Sequence, residues 1–336
     1  MPDLDTMNSQ LERVLEELKG LTERQLHFEK IMLDKELSPK EVTSLSPLLQ
    51  RNFIANADAT QQKLLMHAWR QNTPAILSQQ DLVDSGFRAF SQNDEDGILL
   101  RLFNHVGWTN RYVIEIGSNC SDSAIGIPEN LSTNLIVNHG WHGTIVEMDT
   151  VECARMRYFF ARTSSTRHYH WTQESESHYY SPLIIEQAVT PDNINELLLG
   201  ANPQPEPDLF IIDIDGGDYA VMERLQAIRP RVIVVEFEKR FRERYSVVQR
   251  DRTQFSSRWP QSGSVSLSAW VKMLQLRGYT LCAVGNCCFN AFFVRNDVAN
   301  GRLTPMPPAQ AFDEHPVFSA IDETFWLEPD ESWQIV

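Results

Sequence analysis

"LFIIDIDGGDY", residues 209–219, drives four apolar residues straight into Asp213, Asp215 and Asp218. A short apolar run with no polar alternation reads as a strand buried on both faces, the mark of a parallel sheet covered by helices. In such sheets ligands bind at the carboxyl ends of the strands. Three acids and two glycines stand at that end here. They are either the start of a helix or the edge of a site.

The same pattern recurs on both sides. "YVIEIG" (112–117), "GTIVEMD" (143–149), "PLIIEQAV" (182–189) and "RVIVVEF" (231–237) read as further strands. Helix-like stretches lie between them: "SQNDEDGILLRLFNHVG" (91–107), capped at Asn93 or Asp94, "NLSTNLIVNHG" (130–140) and "TVECARMRYFFAR" (150–162). "TPDNINELLLG" (190–200) opens on Thr190 with Pro191 in its first turn; "YAVMERLQAI" (219–228) and "SLSAWVKMLQLRGY" (266–279) follow. "TLCAVG" and "NAFFVR" (280–285 and 290–295) are expected to pair as antiparallel strands. Alternating strands and helices predict an α/β fold with a mostly parallel sheet.

The other segments set the boundaries. The 336 residues divide into 1–37, 38–86, a main domain over 87–300, and a C-terminal extension over 301–336. Met7, Leu11, Val14, Leu18, Leu21, Phe28 and Met32 form a heptad seam broken only by Gln25. Residues 4–36 are therefore expected to form a coiled coil that joins copies of the chain. Short helices at 48–55, 60–71 and 75–84 would make a helical annex.

A net charge of −15 argues against a nucleic-acid partner. The one basic stretch, "EKRFRERYSVVQRDR" (238–252), is interrupted by acids and reads as mostly solvated. Five scattered cysteines with no CxxC suggest a reduced, cytoplasmic setting. The first residues lack the pattern of a signal peptide, and no apolar run predicts a membrane span.

The strand ends carry the chemistry. Gly117 allows a tight turn and a close ligand after the first strand, and Ser118, Asn119 and Ser121 add hydrogen-bonding groups. Glu115, inside that strand, needs a partner or a ligand, because an unpaired buried carboxylate costs several kcal/mol. Glu147 or Asp149, after the second strand, is placed to accept from ribose hydroxyls. Asp213, Asp215 and Glu236 would meet if the fourth and fifth strands are neighbours. Together they can hold a divalent metal such as Mg, act as general base, or bind sugar hydroxyls. Asp218 suits a helix start. His139 and His142 read as structural, and the HxH at His168 and His170 lacks a fixed frame.

In order, "SQNDEDGILLRLF", "VIEIGSN", "NHGWHGTIVEMD", "VTPDNINELL", "DLFIIDIDGGDY", "RVIVVEFE" and "NAFFVRND" resemble the FkbM-type S-adenosylmethionine-dependent methyltransferases over roughly residues 88–297. The resemblance implies a Rossmann-like, seven-stranded class I methyltransferase fold and O-methylation of a hydroxyl, often of a sugar in a glycan or natural product. It places Glu115, Gly117, Ser118 and Asn119 in the first cofactor motif, with Ser121 where the family has a second glycine. It makes Glu147 the ribose-binding acid and sets Gln187 or Ala188 near the adenine. It puts Asp213 and Asp215 beside the transferred methyl, with Glu236 as a further metal ligand. The alternative is a catalytically silent scaffold that recruits a partner through its coiled coil.

Overall fold

The computed structural model describes residues 56–120, 126–162, 181–201, 203–249, 265–313, 318 and 321–336. The expected coiled coil, the annex up to residue 55, and the HxH stretch lie outside these residues. Helices α1 (Asn56–Asn72), α2 (Gln79–Val83) and α3 (Glu95–Val106) lead into β1 (Tyr112–Ile116). Then come α4 (Thr133–His139), β2 (His142–Glu147), α5 (Thr150–Arg162), β3 (Leu183–Glu186), α6 (Ile194–Gly200) and β4 (Leu209–Ile212). They are followed by α7 (Asp218–Arg224), β5 (Val232–Glu236), β6 (Val247–Gln249), α8 (Leu267–Leu276), β7 (Tyr279–Val284) and β8 (Asn290–Arg295). The chain closes with α9 (Asn296–Ala299), α10 (Gln310–Asp313) and β9 (Trp333–Ile335).

Seven strands form one sheet in the order β3-β2-β1-β4-β5-β8-β7. β1 pairs in parallel with β2 and β4, β2 with β3, and β4 with β5. β8 runs antiparallel to both β5 and β7, the hairpin expected from the sequence. β1, β4 and β8 are buried along their whole length, which explains their unbroken apolar runs. The chain works outward from β1 to β3 and then returns to lay β4 on β1's other side. That reversal opens a crevice at the carboxyl ends of β1 and β4, where ligands bind in open α/β sheets.

Several elements start later or end sooner than the sequence suggests, among them β3 and α6. β3 stops at Glu186, and α6 begins at Ile194 rather than Thr190. Thr190 and Asn193 exchange backbone-to-side-chain hydrogen bonds of 2.8 and 3.2 Å, closing a separate turn before the helix. A larger correction concerns residues 238–249. Instead of lying in solvent, this stretch buries Phe241, Val247 and Val248, and β6 pairs with β9 from the C-terminal extension. Lys239 and three arginines, Arg240, Arg242 and Arg244, had masked the apolar residues around them. On the other side, the Gln62 carboxamide of α1 pairs with Asn134 and reaches His139, which fits the structural reading of that histidine. No helix among the described residues is long and apolar enough to cross a membrane.

One buried carboxylate ties the bottom of the sheet together. Asp208, fully buried before β4, accepts from the backbone N–H groups of Thr109, Asn110 and Arg111 and from the Arg231 guanidinium. It joins the approach to β1 with the starts of β4 and β5. Asp208→Ala strands three N–H groups and a cation, so it should cost about 3–5 kcal/mol of stability. Urea unfolding of the two proteins side by side checks this.

Candidate active site

The first turn of the crevice is set by a missing side chain. Gly117 has φ +82°, and a Cβ built on it would lie 1.5 Å from the Asp213 carbonyl oxygen. Gly117 N donates to Val146 O (3.0 Å), and Asp213 N donates to Ile116 O (2.9 Å). The ends of β2, β1 and β4 are thereby stitched side by side. Ser118 N donates to the Glu147 carboxylate (3.0 Å), and Gln187 N donates to Glu147 O (2.9 Å). Ser118, Glu147 and Gln187, expected to share a cofactor, therefore stand together. Asn119 is the next residue of the turn, its carbonyl accepting from Glu129 N (3.0 Å).

The structure separates the two acids after β2. Asp149 accepts from Val151 N and Glu152 N (2.8 and 3.0 Å) at the start of α5. Glu147 stays at the crevice, with burial pushing its carboxyl above the ordinary value. Glu115 takes another path. It is buried, and both of its oxygens are engaged at the start of α4, by Leu131 N (3.0 Å), Ser132 N (3.1 Å) and the Ser132 hydroxyl. Burial pushes its pKa up to about 7.

Across the crevice, the acids of β4 and β5 converge. Ile212 lies opposite Val235, so the next residues on each strand, Asp213 and Glu236, are neighbours. One carboxylate oxygen each from Asp213, Asp215 and Glu236 lies within 4.8 Å of the others. Asp213 is pushed up to about 8, first by burial and then by the charges of Asp218, Asp215 and Glu115. Glu236 is raised well above its ordinary value, by burial and then by Asp213, Asp218 and Asp215. Crowded carboxylates favour a proton or a cation in their midst. Glu236 is steadied from behind, since Trp270 Nε1 donates to its carbonyl (2.8 Å).

Asp215, Gly216 and Gly217 have φ values of +53°, +144° and +88°. Three consecutive residues in this region let the loop double back under the site. Asp218 does begin α7, as expected, but its carboxylate also accepts from Ile214 N (3.0 Å) and Gly216 N (3.1 Å). It is the brace that holds Asp215 up.

Several site residues escaped the sequence. Asp96 gathers Ala89 N, Phe90 N and Ser91 N, at 2.8, 2.6 and 2.8 Å, and fixes the entry to α3; the expected cap, Asp94, makes no side-chain capping bond. Asn130, 1% exposed, reaches the same Met156 sulfur as Ser118, and its Oδ1 has no hydrogen-bond partner. Met148, next to Glu147, is 55% exposed. Of these, only Met148 stands next to a residue that the strand-end reading singled out, Glu147.

A sheet of this order with an antiparallel hairpin at one flank is the class I methyltransferase architecture. The sequence matches the model of the methyltransferase FkbM domain over residues 98–281, more than half of the chain, and the protein belongs to that family. No curated protein matches the chain. Among solved structures it is similar to an O-methyltransferase from Bacillus cereus in complex with SAH: 15% identity, 72% of this chain and 90% of that one, TM-score 0.35. The O-methyltransferase NcsB1 of neocarzinostatin biosynthesis, bound to S-adenosyl-L-homocysteine and 1,4-dihydroxy-2-naphthoic acid, is 10% identical over 60% of this chain and 57% of its own, with TM-score 0.32. The N-terminal domain of EvdMO1 with SAH bound is 10% identical over 69% and 94%, with TM-score 0.34.

The Glu115 shift has a readable consequence. A carboxyl raised by folding favours the native state most below its unfolded value, near 4.5, and that advantage is lost as pH rises through about 7. Glu115→Gln should therefore flatten the stability profile between those pH values. Chemical denaturation at pH 5 and pH 8 measures it.

Proposed function

We propose that the protein transfers the methyl group of S-adenosylmethionine to a hydroxyl oxygen of a sugar, in a glycan or a small natural product. The observation that carries this reading is the convergence of Asp213, Asp215 and Glu236 within 4.8 Å at the ends of β4 and β5. Ser118, Glu147 and Gln187 line the other half of the crevice. Glu147 is the ribose acceptor, Met148 an apolar platform for the purine, and Asn130 a polar group near the amino-acid end. Gly117, Ser118 and Asn119 form the turn beneath the cofactor, and Glu115 supports it by holding α4.

The chemistry asks little covalent help from the protein. The sulfonium makes the methyl carbon electrophilic. An acceptor oxygen attacks in line, the new C–O bond forms as the C–S bond breaks, and a neutral thioether leaves. What the chain supplies is alignment and a place for the hydroxyl proton. Asp215 takes it, or Asp213 once the proton that burial and its acidic neighbours hold there has left. The oxygen-only donor set of Asp213, Asp215 and Glu236 also fits a divalent cation such as Mg. A bound cation would lower the hydroxyl's pKa.

Calorimetry with S-adenosylhomocysteine should give a dissociation constant of roughly 1–100 μM; absence of binding at millimolar ligand would sink the reading. Asp215→Asn should slow methyl transfer at least about 100-fold while leaving that affinity unchanged. Oligomerisation through residues 4–36 is part of the same proposal. Deleting residues 1–37 should lower the mass found by light scattering and leave cofactor affinity intact; an unchanged mass refutes the coiled coil.

A further inference from the structure

The chain beyond Glu236 forms an arm, residues 237–249, that ends in β6. Its cations are already spent. Arg240 forks onto Glu238 (2.9 and 2.7 Å). Arg242 pairs with Asp313 (2.8 Å) and lies over the rings of Phe312 and Trp326. The arm is pinned along one edge by β9 and the residues flanking it, with Leu327 N donating to Arg240 O, Val336 N to Ser246 O, and Phe241 packed on Trp333 at 4.5 Å. Along the other edge Val247 N donates to the Ser266 hydroxyl (2.9 Å), and Val248 bridges to Val265. A three-residue strand held on both sides presents its last residue at a fixed place. That residue is Gln249, paired with Trp333.

Gln249 Oε1 lies 3.8 Å from where a Cβ on Gly216 would stand. The side chain thus overhangs the Asp215–Gly217 loop, and glycine at 216 keeps the gap between them open. A carboxamide both donates and accepts, matching a hydroxyl, which does the same.

We propose that Gln249 is an acceptor-binding residue whose carboxamide orients hydroxyls of a polyhydroxyl acceptor against the Asp215 loop, and that β9 holds it there; this rests on methyl transfer at the site described above. β6 lies within the stretch that matches the family model and β9 beyond it.

The test uses full-length protein, labelled S-adenosylmethionine, and the methyl glycosides of glucose, galactose, mannose and rhamnose. Wild type should methylate at least one. Gln249→Ala should raise KM for that glycoside about 5- to 10-fold, the loss of about one hydrogen bond, with kcat within about threefold and affinity for S-adenosylhomocysteine within about twofold. Trp333→Ala should raise KM in the same direction, and the double variant should be no worse than the worse single one. A protein that binds S-adenosylhomocysteine but methylates none of the four overturns the polyhydroxyl assignment. A Gln249→Ala KM within about twofold of wild type overturns the role of Gln249, and a wild-type KM in Trp333→Ala overturns that of β9. Failure of wild type to bind S-adenosylhomocysteine counts instead against the methyl-transfer reading beneath it.

Discussion

The contact between the turn after β1 and the carbonyl of Asp213 has no room for even one carbon atom at position 117. That constraint fixes the distance between the two halves of the site. β1 and β4 can then end flush, with the turn after β1 on one side and the acids on the other. Were those two strands spread by the width of a methyl group, Asp213 could no longer donate to Ile116. Both halves would survive as local structures, but they would no longer share a crevice.

The acids show how the fold pays for function. Asp213, Asp215 and Glu236 are held close although Asp215 raises the proton affinity of Asp213, and both raise that of Glu236. Isolated on a surface they would move apart. They stay because Asp218 grips the loop amides, Trp270 grips the Glu236 carbonyl, and the β4–β5 register permits no slip. A bound proton or cation relieves the repulsion.

The sheet was legible because its strands are buried on both faces and so write themselves as apolar runs. Asp213, Asp215 and Glu236 were legible for the same reason, being the first polar residues past those runs. Glu115 and Asp96 were not, because their role depends on which backbone amides fold onto them, Leu131 and Ser132 for one and Ala89 to Ser91 for the other. β6 and β9 escaped because a three-residue strand has too little pattern to detect, and because arginines in the arm made a packed segment look solvated. The choice between Glu147 and Asp149 also needed partners: a helix start claims Asp149 and leaves Glu147 to the crevice.

The pairing of β6 with β9 also bears on how the molecule is made. The strands that carry the cofactor turn and the acids all precede β6, and each finds its sheet neighbour among residues synthesised before β9. β6 alone waits for a partner far downstream. On a growing chain the β1–β4 crevice can therefore assemble first, while the flank at β6 stays unpaired with β9 until residues 333–335 arrive. The β6–β9 flank would then close later in synthesis than the crevice between β1 and β4.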